Sequence, residues 1–159
     1  MIEWGISAAA HDAALTVVGG DEILFASHAE RYSGVKNDKH LNKDLIDAAL
    51  QFGKPHKIHW YEKPKLRGMR RFLSGQGLVR FSVRQYLKEF GLDVPVEFAS
   101  HHESHAAAGF YTSQFESATA LVIDAIGEFD TASIWECSGS KLKNKWSMDY
   151  PKSDRKSVV

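Results

Sequence analysis

The sequence contains a single cysteine, Cys137, among its 159 residues. One thiol cannot form a disulfide within the chain, so a secreted, disulfide-stabilised scaffold is excluded. An excess of charge of one sign is also absent, because 20 Lys and Arg residues balance 20 Asp and Glu residues. A balanced chain has no overall electrostatic attraction to nucleic acid or to an anionic membrane. What remains is an ordinary globular composition, with 43% hydrophobic and 25% charged residues.

Long hydrophobic runs are missing as well. No stretch approaches the roughly 20 consecutive apolar residues that a membrane-spanning helix requires. The first twelve residues, MIEWGISAAAHD, lack the basic segment and apolar core of a secretory leader. The sequence therefore predicts a soluble, cytoplasmic protein with no membrane partner.

Short apolar segments near the start of the chain predict three strands. Residues 2–7 and 13–18 are the first two, and a Gly-Gly-Asp turn signal at residues 19–21 precedes an alternating segment at residues 22–28. Apolar residues at helical spacing then predict a helix over residues 42–52. Three strands joined by tight connections form an antiparallel meander, which is how an actin-like or ribonuclease-H-like domain opens.

The second half of the chain alternates strands and helices. Short strands are predicted at residues 57–61 and 96–99, a helix at 100–113, a buried strand at 118–124, and a hairpin from 131–135 and 141–147. This order of elements predicts an α/β fold with a mixed sheet flanked by helices.

The most informative segment is S-H-H-E-S-H-A-A-A at residues 100–108. Ser100 and Glu103 form the S-x-x-E pattern of a capping box, which predicts that a helix begins at the histidines. His101 and His105 are four residues apart, so they share one face of that helix with about 5–6 Å between their Cβ atoms. One metal ion can bridge such a pair. His102 is rotated by roughly 100° and should point elsewhere.

Asp124 is the candidate for a third metal ligand, because it follows a predicted buried strand and ligands of α/β proteins bind where strands end. Two imidazoles and one carboxylate suit a divalent transition metal with positions left open for substrate. Simpler interpretations stand beside this one. The H-x-x-x-H pattern often occurs without a metal, Glu103 suits a cap better than a catalytic base, and Asp124 is also a common turn residue. The pattern lacks the Glu after the first His that a zinc-protease helix requires.

Four motifs, taken in order, resemble the carbamoyltransferases of nodulation-factor and aminoglycoside tailoring, relatives of the threonylcarbamoyl-tRNA enzymes. The motifs are H-D at residues 11–12, E-R-x-x-x-x-K at 30–36, H-H-x-x-H-A-A at 101–107 and D-x-x-G-E at 124–128. The resemblance runs from Ile6 to about Pro151. It implies that residues 1–153 form an actin-like (ribonuclease-H-like) lobe, the first half of a two-lobed domain, and that residues 154–159 are a tail departing from the family.

The resemblance also implies a role for each matching residue. The implied metal ligands are His101, His105 and Asp124, the catalytic residues His11 and Lys36, and the cofactor-binding residues Asp12 and Gly127. The ion would be divalent, with iron first and zinc or manganese as alternatives. In the family, the positions of His11 and Lys36 line the pocket for carbamoyl phosphate or the carbamoyl group. A Lys ammonium is a point charge suited to phosphate oxygens, and His11 can donate to an oxygen on which charge develops.

The implied reaction joins carbamoyl phosphate and ATP into a carbamoyl-adenylate, whose carbamoyl group then passes to a hydroxyl of a sugar or related acceptor. The sequence departs from the family at Gly34, where an Arg is usual, and the family's further aspartate ligand would lie beyond residue 159. We therefore expect an N-terminal portion of a carbamoyltransferase that is inactive alone.

Other functions remain open from the residues alone. A non-catalytic module would bind metal or phosphate, or dock a partner or a second copy through an exposed apolar cleft face. A metal-dependent hydrolase would use the two helix histidines and Asp124 around an activated water, but it lacks an obvious positioned base. The eight Lys and Arg residues between residues 62 and 89 favour a solvated helix face over a nucleic-acid surface.

Overall fold

The computed structural model describes residues 1–10, 12–75, 77, 81–125, 128–150 and 152. The chain divides into two compact units. The first unit contains Met1–Tyr61 and Ser82–Phe98, and the second contains Glu62–Phe81 and Ala99–Val159. The assignment of residues 1–153 to a single lobe and of 154–159 to a tail stays a prediction.

Eight strands and five helices lie in these described residues. The strands are β1 (Ile2–Ser7), β2 (Ala14–Gly19), β3 (Glu22–His28), β4 (Lys57–Trp60), β5 (Val96–Phe98), β6 (Ser117–Ile123), β7 (Asp130–Ser138) and β8 (Lys141–Asp149). The helices are α1 (Glu30–Ser33), α2 (Lys43–Leu50), α3 (Pro64–Leu73), α4 (Val83–Lys88) and α5 (His101–Tyr111). None of these helices combines the length and the apolar character needed to cross a bilayer.

The first unit is built on a five-stranded mixed sheet with the strand order β3-β2-β1-β4-β5. Strands β1, β2 and β3 form the predicted antiparallel meander, and β4 and β5 extend the sheet parallel to β1. Helix α2 lies in the crossover connection that leads from β3 to β4, as a parallel pairing requires. This arrangement confirms the predicted α/β, actin-like (ribonuclease-H-like) class with a mixed sheet flanked by helices.

Alternating burial explains why β1 and β2 pair in this register. Trp4 and Ile6 of β1 lie directly opposite Val17 and Leu15 of β2, and all four side chains are buried on one face of the sheet. Helix α2 covers this core with its apolar side, which includes Leu45. Burial of a side chain of this size contributes about 1.5–3 kcal/mol. The sheet and α2 therefore stabilise each other.

The second unit is a three-stranded antiparallel sheet, β6-β7-β8, with α5 packed on one face. A second core lies beneath α5 and consists of Ala106, Phe110, Val122, Trp135 and Cys137. The prediction that residues 118–124 form a buried strand is only half right, because Leu121 and Ile123 are 62% and 55% exposed. Side chains of a strand alternate between two faces, and α5 covers one of them.

Asn42→Ala should lower the free energy of unfolding by about 1–2 kcal/mol. The Asn42 side chain caps α2 by accepting the Leu45 N–H at 2.9 Å, and it donates to the Ala29 carbonyl at 3.0 Å. Ser82→Ala is the matched control, because Ser82 caps α4 through one longer bond of 3.3 Å from the Gln85 N–H. Urea unfolding should show a smaller loss for this control, about 0.5–1 kcal/mol. Equal losses would contradict a stabilising bond to Ala29.

Candidate metal centre

Helix α5 begins with a complete capping box. The Ser100 hydroxyl accepts the Glu103 backbone N–H at 3.4 Å, and the Glu103 carboxylate accepts the Ser100 backbone N–H at 3.2 Å. The predicted helix start is therefore confirmed, and Glu103 acts as a capping residue. As a consequence, His101 is the first residue of the helix and His105 follows one turn later on the same face.

His101, His105 and Asp124 bring three potential ligand atoms together. The His101 Nε2 lies 2.8 Å from the Asp124 Oδ2 and 3.1 Å from the His105 Nε2. All three donor atoms lie within 4.8 Å of one another. His101 and Asp124 are partly buried, whereas His105 is exposed. The cluster is thus accessible to solvent on the His105 side.

Two of these three separations match those expected between ligands of one metal ion. Metal–ligand bonds of about 2.0–2.2 Å, at angles of roughly 90–109°, place neighbouring donor atoms about 2.8–3.6 Å apart. The two close contacts, of 2.8 and 3.1 Å, lie in that range. Two imidazoles and a carboxylate also leave positions for further ligands. The donor set therefore suits a divalent transition metal, while binding of such an ion stays a prediction.

Asp124 lies directly after β6 and is held in its charged form. The hydrogen bond to His101 is the main reason that the pKa of this carboxyl group lies well below its usual range, against the opposing effect of burial. The Asp124 Oδ1 accepts the Ala125 N–H at 2.6 Å, and the Asp124 backbone N–H donates to the Thr131 carbonyl at 3.0 Å. One carboxylate oxygen therefore makes a turn contact and the other contacts His101, so the turn interpretation is confirmed and the role of Asp124 as a metal ligand stays a prediction.

His102 points away from this cluster, as the helical geometry predicts. Its side chain is almost fully buried, and its Nδ1 lies 2.7 Å from the Ser133 Oγ on β7. Burial lowers the pKa of the His102 imidazole, and the neighbouring His101 lowers it further. The neutral ring therefore belongs to the core beneath α5 rather than to the donor cluster.

A second candidate site, in the first unit, is a pocket of about 500 Å³ at the loop that follows α1. Its lining comprises Asp12, His28, Glu30, Arg31, Gly34, Lys36 and Asn37. The Glu30 carboxylate accepts the Asn37 N–H at 3.0 Å and lies 3.5 Å from the Arg31 guanidinium, so it shapes the loop itself. An ammonium and a guanidinium in one pocket are suitable partners for phosphate oxygens.

Gly34 terminates α1. Its φ of 70° is left-handed, and its N–H donates to the Glu30 carbonyl at 3.0 Å. Glycine adopts this conformation without strain, whereas a residue with a Cβ does so only rarely. The position at which the family usually has Arg is therefore occupied here by the glycine that ends α1, two residues before Lys36.

Comparison with known proteins agrees with these motifs. The family model for the carbamoyltransferase N-terminus matches residues 58–154, which is more than half of the chain and includes all three donors of the metal cluster. This chain belongs to the carbamoyltransferase N-terminus family. Nodulation protein NolNO from Sinorhizobium fredii is 27% identical over an alignment of 161 positions that covers 91% of this chain and 23% of the relative.

Another relative is the uncharacterized protein sll1178 from Synechocystis sp., which is 30% identical over an alignment of 180 positions that covers 94% of this chain and 29% of the relative. The chain thus spans less than a third of the length of these curated relatives. Among solved structures, the ROK hexokinase from Thermus thermophilus has a TM-score of 0.49 and 17% identity, covering 89% of this chain and 47% of that chain. This last likeness carries no argument about function.

The structure places the predicted site residues of the carbamoyltransferase family in two groups. The three predicted metal ligands form the cluster in the second unit. Lys36 and Asp12, predicted as catalytic and cofactor-binding residues, line the same pocket in the first unit. His11 and Gly127 lie outside the described residues. The assigned roles of all these residues stay predictions.

Glu128 received no role from the sequence, although it is the last residue of the D-x-x-G-E motif. Its side chain is buried, and its carboxylate accepts the backbone N–H of Lys63. Burial raises the pKa of Glu128, and the hydrogen bond from the Lys63 backbone N–H opposes that effect. This buried carboxylate therefore holds the Lys63 backbone just before α3. Its position in the motif was the signal that could have found it.

Asp130 and Asp149 face each other across β7 and β8. Burial, followed by the hydrogen bond to Asp149 and its repulsion, raises the pKa of Asp130 to about 6. The unfolded chain loses this proton near the ordinary aspartate value of about 4. Through Asp130, the free energy of unfolding is therefore highest below about pH 4, decreases as the pH rises from about 4 to about 6, and stays at the lower value above that. The pair opposes folding at neutral pH.

Asp130→Asn should remove this penalty. Above pH 7 the variant should be more stable than the wild type by about 1 kcal/mol, a value reduced for the partial exposure of Asp130, and near pH 4 the two should be equal. Asp93→Asn is the control, because this exposed carboxylate pairs with Lys88 at 3.1 Å and should give no gain. Unfolding measured from pH 4 to pH 8 tests this, and a gain that does not change with pH would argue against it.

Proposed function

We propose that this chain is the N-terminal portion of a carbamoyltransferase. In the proposed reaction, carbamoyl phosphate and ATP form a carbamoyl-adenylate, and the carbamoyl group then passes to a hydroxyl acceptor. The observation that supports this most strongly is the cluster of His101, His105 and Asp124. Two family motifs that are separated in the sequence meet there as three donors of the kind that bind a divalent metal.

His101, His105 and Asp124 would hold the metal ion, with iron as the first candidate and zinc or manganese as alternatives. When bound, the ion supplies positive charge that orients phosphate groups and neutralises charge on their oxygen atoms. The chain contributes the geometry of the site. The capping box holds the two imidazoles on one face, and the lowered pKa of Asp124 keeps its carboxylate ionised, which is the form that ligates metal.

The pocket after α1 would bind carbamoyl phosphate. The Lys36 ammonium provides a point charge for phosphate oxygens, and the Arg31 guanidinium can bind two of them side by side. The Asp12 carboxylate lines the same pocket and would accept hydrogen bonds from the carbamoyl NH₂ group. The two cationic groups would thus bind the phosphate end of carbamoyl phosphate, and the carboxylate would bind its carbamoyl end.

The chain alone should not complete the reaction, because it spans less than a third of the length of its curated relatives. The alternative is a non-catalytic module that binds metal or phosphate or docks a partner, and it would use the same two sites. The test is to incubate the chain with carbamoyl phosphate, ATP and a sugar acceptor and to look for a carbamoylated acceptor by mass spectrometry. This product distinguishes catalytic turnover from binding alone. A carbamoylated acceptor would contradict both the inactivity of the chain and the module.

Purified protein should contain about one divalent metal ion per chain, and His105→Ala should lose most of it. Removing this imidazole leaves two protein donors, which hold a divalent ion weakly. The matched control is His59→Ala in the first unit, where the partly buried imidazole pairs with Glu3 at 2.6 Å. Elemental analysis should find unchanged metal in this control. Metal retained by His105→Ala would rule out the proposed centre.

Lys36→Ala should weaken carbamoyl phosphate binding about 10-fold, because a charged hydrogen bond to phosphate contributes about 1.5 kcal/mol or more. Lys39→Ala is the control, since this exposed Lys follows the same loop but is not among the pocket-lining residues. Isothermal titration calorimetry at low and high salt should show that only the Lys36 variant loses salt-sensitive affinity. Equal affinities for both variants would remove Lys36 from the phosphate site.

A further inference from the structure

A chain of buried hydrogen bonds lies beneath α5. The His102 Nδ1 is 2.7 Å from the Ser133 Oγ, and the Trp135 indole N–H donates to the same oxygen at 2.8 Å. His102, Ser133 and Trp135 are 1%, 0% and 6% exposed. Polar groups this deeply buried are costly unless they are paired, so these contacts specify how α5 packs on the sheet.

The Ser133 hydroxyl joins the His102 ring to the Trp135 indole. The Ser133 hydroxyl already accepts the Trp135 N–H, and it has one proton of its own to donate. The contact between the His102 Nδ1 and the Ser133 Oγ is a hydrogen bond in either tautomer of the ring, with the hydroxyl donating to Nδ1 or the Nδ1–H donating to the hydroxyl. In either direction this bond ties the first turn of α5 to β7.

Strand β7 also forms a hydrogen bond with the residue that carries the third donor of the metal cluster. The Asp124 backbone N–H donates to the Thr131 carbonyl at 3.0 Å, and Ser133 lies two residues further along the same strand. His102 is adjacent to His101 in the first turn of α5. The histidine donors and the carboxylate donor are thus both aligned by β7, whose own side chains are not among the three donors.

We propose that His102, through Ser133, is a positioning residue for the metal centre. The bond sets the rotation of the first turn of α5 against β7, and with it the 2.8 Å separation of the His101 Nε2 and the Asp124 Oδ2. This inference rests on the proposed metal site. An apolar side chain could fill the same space, but it would not define that rotation. Loss of groups that orient metal ligands lowers metal affinity about 10–100-fold.

Two substitutions at position 102 separate orientation from packing. His102→Asn keeps a polar acceptor close to the position of Nδ1 but has a smaller side chain. His102→Leu fills the volume without an acceptor. A positioning role predicts affinity within about threefold of wild type for Asn and about 10–100-fold weaker binding for Leu. A packing role predicts the opposite order.

Ser133→Ala removes the partner hydroxyl and should match His102→Leu. The double variant should bind metal no more weakly than either single variant, because both remove the same interaction. Metal-free protein is titrated with Co²⁺, whose visible absorption reports affinity and ligand geometry, while circular dichroism checks the fold. If His102→Leu fails to fold, Ser133→Ala decides the outcome, since it removes only one oxygen atom.

The outcomes are distinguishable. Wild-type affinity and spectrum in both His102→Leu and Ser133→Ala would overturn the positioning role and leave the metal centre intact. Tighter Co²⁺ binding by the Leu variant than by the Asn variant would also overturn it, in favour of packing. Absence of Co²⁺ binding by the wild-type chain would overturn the metal centre, and the positioning role with it.

Discussion

The reciprocal hydrogen bonds between Ser100 and Glu103 determine where α5 begins, and the donor cluster depends on that starting point. If the helix began one turn later, His101 would lie outside it and would no longer share a face with His105. The same helix end carries a partial positive charge, which attracts the carboxylate of Asp124. A local capping interaction therefore sets both the spacing of the two histidines and the site of their anionic partner.

Local patterns made much of this site predictable. The S-x-x-E spacing located the helix start, the four-residue spacing paired two histidines, and the end of an apolar segment located Asp124. The contact between His102 and Ser133 was not predictable, because it joins residues 31 apart and depends on the register of β6 and β7. The exposure of Leu121 was missed for a related reason, since an apolar segment does not reveal how many of its faces are covered.

Both units contain three consecutive antiparallel strands, β1–β3 and β6–β8, although the sequence shows no repeat. Backbone pairing of this kind accepts many alternating sequences, so it leaves little trace in residue identities. The H-D motif falls between the first two strands of one meander, and the D-x-x-G-E motif falls between the first two strands of the other. The fold thus places acidic motifs at equivalent connections, which the pattern of residues alone did not suggest.

The lone thiol of the chain is buried in the core beneath α5, on the strand that aligns the donors. A thiol reagent reaches Cys137 only when α5 and the sheet separate, and the first unit has no sulfhydryl group to compete for it. The rate of chemical labelling therefore measures the opening of the second unit by itself. The reactivity of this cysteine therefore reports local unfolding close to the buried hydrogen bonds beneath α5.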